Sequence, residues 1–170
     1  MKRITLTLSL LLFTLGVTTS CQDVTEVTEV YTTPARSILY NVAANSWTPY
    51  GGNSGYTTSL NVPEITGSFN EYGGILVYIA FGTAAPFEAL PKTLDGISYN
   101  FTTFTGSIEL DFQTVSGGAM TRPGFLQAKV VLVDAEQIAL LKAKGVDLKN
   151  YNAVMSTVKP IERSISVKVN

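Results

Sequence analysis

The chain has no histidine, and its only cysteine is Cys21. Without imidazole there is no Ser-His-Asp triad, no histidine metal ligand and no side chain with an ordinary pKa near neutrality. With one thiol there is no internal disulfide and no thiolate cluster. The usual transition-metal ligands are therefore missing, and no cofactor is expected; calcium is less firmly excluded, because oxygen ligands are plentiful. Charge is scarce as well: 15% of residues are charged, against about 25% in an ordinary domain. Twelve basic residues stand against thirteen acidic ones with no Lys/Arg run, so nucleic acid is not an expected partner. Long apolar runs are also missing. The most apolar stretch, residues 4–17, has 14 residues, three of them Thr and one Ser, short of the roughly 20 that a spanning helix needs. No P-loop, dinucleotide fingerprint, nucleophile elbow or EF-hand loop is present.

Two features of the N-terminus are informative. Lys2 and Arg3 precede the apolar stretch, and Thr18, Thr19 and Ser20 lead directly into Cys21. Positive, apolar and small segments in that order read as an export signal over residues 1–20. Cleavage before Cys21 leaves 150 residues, one domain of ordinary size. Loss of Lys2 and Arg3 leaves ten basic and thirteen acidic residues, near −3. Residues 21–36, with four Thr, three acidic residues and Pro34, read as a flexible tether; a short strand over the weakly alternating residues 24–30 is the alternative.

From residue 37 to 170 the pattern is that of a mainly β domain. Fourteen Gly and seven Pro supply turns between short apolar blocks. Strands are predicted over residues 37–42, 56–62, 74–81, 87–90, 97–103, 107–115, 125–133 and 161–169. In the strand from 56, Tyr56, Thr58, Leu60 and Val62 share one face; in the strand from 107, Ile108, Leu110 and Phe112 face inward and Glu109, Asp111 and Gln113 face water. The near-continuous G-I-L-V-Y-I-A-F block predicts a central strand buried on both faces. Two helices interrupt the pattern. Asp134 and Gln137 form a capping box for one that stops at Gly145, and Asp147 or Asn150 caps a shorter one near residues 148–157. Eight short strands predict a single β-sandwich, immunoglobulin-like or jelly-roll-like, with the late helices over one end or edge.

The segment V-T-T-S-C (residues 17–21) resembles a relaxed form of the bacterial lipobox, with Thr18 where the usual box has Leu. The resemblance implies diacylglyceryl transfer to the Cys21 thiol, cleavage before it and acylation of the new amine, giving a lipid-anchored envelope protein, expected at the outer membrane. Three further blocks, N-V-P-E-I-T (61–66), E-Y-G-G-I-L-V-Y-I-A (71–80) and V-D-L-K-N-Y-N-A-V (146–154), resemble in order and spacing small uncharacterised lipoproteins of Bacteroidota. That resemblance spans most of residues 37–158. It departs from the group at the strand F-L-Q-A-K-V-V-L-V-D, which lacks the usual I-P-G ending, and in the helix from residue 134. The group has no assigned activity, so no functional residue transfers. In Bacteroidota, acidic residues after the lipidated cysteine often direct surface export, which gives Asp23, Glu26 and Glu29 a candidate role beside that of a soluble linker.

The candidate ligand-binding residues are Tyr50, Asn53 and Tyr56, which bracket or belong to the G-G-N-S-G loop. Exposed aromatics beside such a loop stack on sugar rings or protein side chains; Trp47 nearby reads as a core anchor. Glu109 and Asp111, about 7 Å apart on one strand face, are the tightest carboxylate pair, and the bland alternative is a solvated strand face. Three functions follow as expectations. The first is a non-catalytic envelope lipoprotein binding a glycan or a protein through the loop end carrying residues 51–55. The second is an assembly subunit pairing through its terminal strand. The third is a hydrolase using carboxylates alone.

Overall fold

The structure, a computed structural model, describes residues 34–167. The expected export signal, Cys21 and the tether through Thr33 lie outside the described residues, as does the end of the last predicted strand.

Among the described residues ten strands form two five-stranded sheets. The first holds β1 (Arg36–Val42), β4 (Gly74–Ala80), β5 (Glu88–Ala89), β9 (Leu126–Val133) and β10 (Ile161–Val167), in the order β10-β1-β9-β4-β5. The second holds β2 (Thr48–Tyr50), β3 (Gly55–Asn61), β6 (Lys92–Leu94), β7 (Ile97–Phe104) and β8 (Ser107–Thr114), in the order β2-β3-β8-β7-β6. All pairs are antiparallel except β1 with β10, which run parallel with Arg36 opposite Ile161. The protein is thus mainly β, two packed sheets, as the alternation predicts.

Alternation decides which residues fill the space between the sheets. Ile38, Tyr40 and Val42 from β1, Leu60 from β3, Val77 and Ile79 from β4, Ile108, Leu110 and Phe112 from β8, and Val130 and Leu132 from β9 form one buried cluster. Glu109, Asp111 and Gln113 of β8 point the other way. β4 and β9 are buried on both faces because the outer face of the first sheet is apolar too. Tyr78, Val131 and Val133 form a second cluster there, against Ile138, Tyr151, Met155 and Val158. Those last four belong to α2 (Ala135–Ala143) and α3 (Tyr151–Val158), so the late helices cover a sheet face rather than an end or edge. A face carrying Leu76, Tyr78, Val131 and Val133 cannot be left to water.

The helix ends follow their signals. Asp134 Oδ1 accepts from Gln137 N at 2.8 Å while Gln137 Oε1 accepts from Asp134 N at 3.2 Å, the complete capping box. Asn150, not Asp147, caps α3, accepting from Ala153 N at 3.0 Å. A third helix, α1 (Gly67–Tyr72), goes beyond the two predicted. Its G-S-F-N-E-Y sequence carries weak helix formers, and the cap from Thr66 to Phe69 N, 3.1 Å, is its main local support. β2 and β6 were also not expected; both are three-residue edge strands, and Pro49 sits in β2, where an edge tolerates it.

Candidate functional site

The two ends of the sandwich differ. At one end the described chain enters at Pro34, β1 and β10 begin, β9 runs into α2, and β3 runs into α1. We call this the entry end. At the opposite, distal end lie the β2–β3 loop, the β6–β7 turn, and the segments that follow β4 and β8 and precede β9.

The distal loop is built on left-handed backbone. Gly51, Gly52 and Asn53 have φ of 57°, 67° and 67°, a run that glycine adopts freely and that asparagine tolerates better than most residues. The turn is tied down by its carbonyls. Met120 N donates to the Asn53 carbonyl at 2.8 Å and Thr114 N to that of Ser54 at 2.9 Å. The loop is thereby joined to the end of β8 and to the glycine-rich segment after it. The Asn53 side chain is exposed and has no hydrogen-bond partner among the described residues.

Tyr50 is 38% exposed. Its phenol donates to Asp111 Oδ1 across the edge of the second sheet. Partial burial pushes the Tyr50 pKa up to about 12, helped by the hydrogen bond to Asp111 and by the negative charges of Asp111 and Glu109. The ring lies over Gly55, its cross-strand partner; a Cβ at Gly55 would meet the ring at 2.2 Å. Glu109 and Asp111 share the outward face of β8, and Asp111 is engaged by Tyr50.

Tyr56 corrects an expectation. It is 6% exposed and belongs to the core, with the Arg122 guanidinium 5.9 Å from its ring centre. The reason is strand parity: Tyr56 shares a face with Leu60 and Val62, which are fully buried. Tyr56 therefore offers no stacking surface. Trp47 is buried as expected, 4.6 Å from Phe112, which in turn meets Tyr99 edge-on at 4.8 Å.

The sequence reading missed most of the distal surface. Phe81, Leu94, Val115 and Phe125 are exposed there together with Tyr50. Phe81 follows β4, Leu94 closes β6, Val115 follows β8 and Phe125 precedes β9. They account for five of the nine large apolar side chains that are exposed among the described residues. A signal was available: each lies within two residues of a glycine, in Y-G, F-G, L-D-G, V-S-G and G-F. Family models, curated proteins and solved structures give no match to the chain. The distal surface is therefore read from its own chemistry.

A second site-like feature lies on the outer face of the first sheet. Lys129, whose side chain is 9% exposed, pairs with Glu162 Oε1 at 3.0 Å and sits 5.5 Å from the ring centres of both Phe87 and Tyr151. Burial pulls its pKa down, but hydrogen bonds to Tyr151 and Glu162 outweigh this and hold it above the ordinary lysine value. The arrangement fastens edge strand β10 to β9 across β1.

Proposed function

We propose that this chain is a non-catalytic, lipid-anchored protein of the cell envelope that presents the distal end of its sandwich to a protein partner. In this reading, residues 1–20 direct export and Cys21 carries lipid. The observation that carries it is the gathering of Tyr50, Phe81, Leu94, Val115 and Phe125 on one end. Apolar side chains exposed together, beside a rigidly pinned loop, are the ordinary make-up of an interaction surface. Leu94 and Val115 favour a protein over a sugar, because aliphatic tips give no stacking face. The glycan reading rests on Tyr50 and Asn53, an aromatic ring beside an amide with no hydrogen-bond partner among the described residues.

Two experiments test it. Metabolic labelling with a fatty-acid analogue should mark the wild type and not Cys21→Ala; equal labelling would remove the anchor from the account. A photo-crosslinking residue at Val115, 67% exposed, should give a discrete adduct in intact cells, while one at Leu140, 48% exposed on α2, should not. Equal adducts at the two sites, or none at Val115, would reject the distal surface.

Assembly through strand pairing is the second reading. β10 pairs with β1 along one edge, and among the described residues no strand pairs with its other edge. An open seven-residue edge is a template for strand addition.

A further inference from the structure

At the entry end the described residues form a groove of about 720 Å³ between α1 and the ends of β1 and β9, a volume within the range of small-molecule sites, roughly 300–1,000 Å³. Its walls are mostly carbon: Pro63, Phe69, Tyr72 and Leu132. Leu132 and Phe69 are also part of the core or packed on it, so the groove is an extension of the core into solvent. Tyr72 is 68% exposed at its rim.

Arg36, exposed at the start of β1, stands on the face of that strand that carries Ile38, Tyr40 and Val42 into the core, opposite Leu132. It lines the groove and its guanidinium has no ion pair or hydrogen bond among the described residues. The carboxylates nearby are committed elsewhere. Glu64 holds Arg163 at 2.6 Å, and Asp134 caps α2. The groove thus offers mostly carbon walls and, in Arg36, a flat, two-pronged donor set with no direct partner among the described residues. That matches a ligand with one planar anionic head and a long apolar body. A sugar or a polar metabolite would need more free donors and acceptors than the walls supply.

We infer that this groove binds a free long-chain carboxylate, its acyl chain along Phe69, Tyr72 and Leu132 and its head group on Arg36. The site is at the opposite end from the distal surface and stands or falls separately from it. Calorimetric titration tests it on the full chain carrying Cys21→Ser, which removes the thiol proposed to bear lipid. Palmitate below its aggregation concentration should bind saturably at one per chain. Hexadecanol, which keeps the chain and lacks the charge, should bind at least about tenfold more weakly. Arg36→Gln should erase that difference by weakening palmitate alone. Ala135→Trp, an exposed first-turn position of α2 on the groove wall, should abolish binding of both while leaving the melting curve in place. Absence of saturable palmitate binding, equal affinity in Arg36→Gln, or binding unchanged in Ala135→Trp would each overturn the assignment.

Discussion

Tyr50 and Gly55 show how closely one residue can depend on another. A methyl group at Gly55 would overlap the Tyr50 ring at 2.2–2.7 Å, so Gly55→Ala should drive the ring outward and break its bond to Asp111. The expected cost is about 1 kcal/mol in chemical denaturation. The same substitution in a Tyr50→Ala background should cost little, because the conflicting ring is gone; equal costs in both backgrounds would show that the conflict lies elsewhere. Tyr40 and Tyr78 give a second residue-level expectation. Burial raises both phenols to about 12, from an ordinary 10.0. Their hydroxyls donate to the Asn61 carbonyl at 2.6 Å and to the Leu148 carbonyl at 2.7 Å. A tyrosine pKa that is higher folded than unfolded means that the folded state holds its proton more tightly. The stabilisation is complete below pH 10 and is lost as pH rises from about 10 through about 12. Denaturation midpoints should therefore fall over that window, and Tyr78→Phe should flatten the fall while costing about 1 kcal/mol at neutral pH. A midpoint in Tyr78→Phe that falls as steeply as in the wild type would contradict this.

Among the strands of seven or more residues, β10 brings the fewest described side chains to the core, with Ile161 65% exposed and Ile165 and Val167 packed on it. Its ion pair to Lys129 therefore matters. Glu162→Gln removes the charge that compensates a buried ammonium, and should lower stability by about 1 kcal/mol, Glu162 itself being half exposed. Hydrogen exchange should quicken first in β10; uniform change across β1 and β9 would contradict the fastening role. The elements also show what could be read in advance. Strands with strict alternation, β3 and β8, and the box Asp134–Gln137 were legible because period 2 and cap chemistry are local. The third helix α1 and the edge strands β2 and β6 were not, because three to six residues of weak propensity are stabilised by neighbours rather than by themselves. The position of α2 and α3 needed the sheet order. Only the placing of Tyr78, Val131 and Val133 on one outer face shows where an apolar cover is required. The burial of Tyr56 was contained in its own strand pattern, whereas the meeting of Phe81, Leu94, Val115 and Phe125 depends on strands far apart in sequence coming to the same end.

At the scale of the whole molecule the two ends of one sandwich differ, and the tasks we propose for them differ accordingly. The entry end receives the chain and opens into the Arg36 groove; the distal end gathers exposed apolar side chains on loops anchored by backbone hydrogen bonds. Such a surface costs solubility unless something covers it. Replacing Leu94 and Phe125, 44% and 42% exposed, with serine should cost about 2 kcal/mol at most yet remove much of the exposed apolar area of the distal end. The most direct measurement is therefore the yield of the Val115 photo-adduct in intact cells, compared between the wild-type surface and Leu94→Ser/Phe125→Ser at equal protein level. The account predicts a discrete adduct in the first and its loss in the second. An adduct of equal yield in both would contradict the claim that the distal end is the binding face.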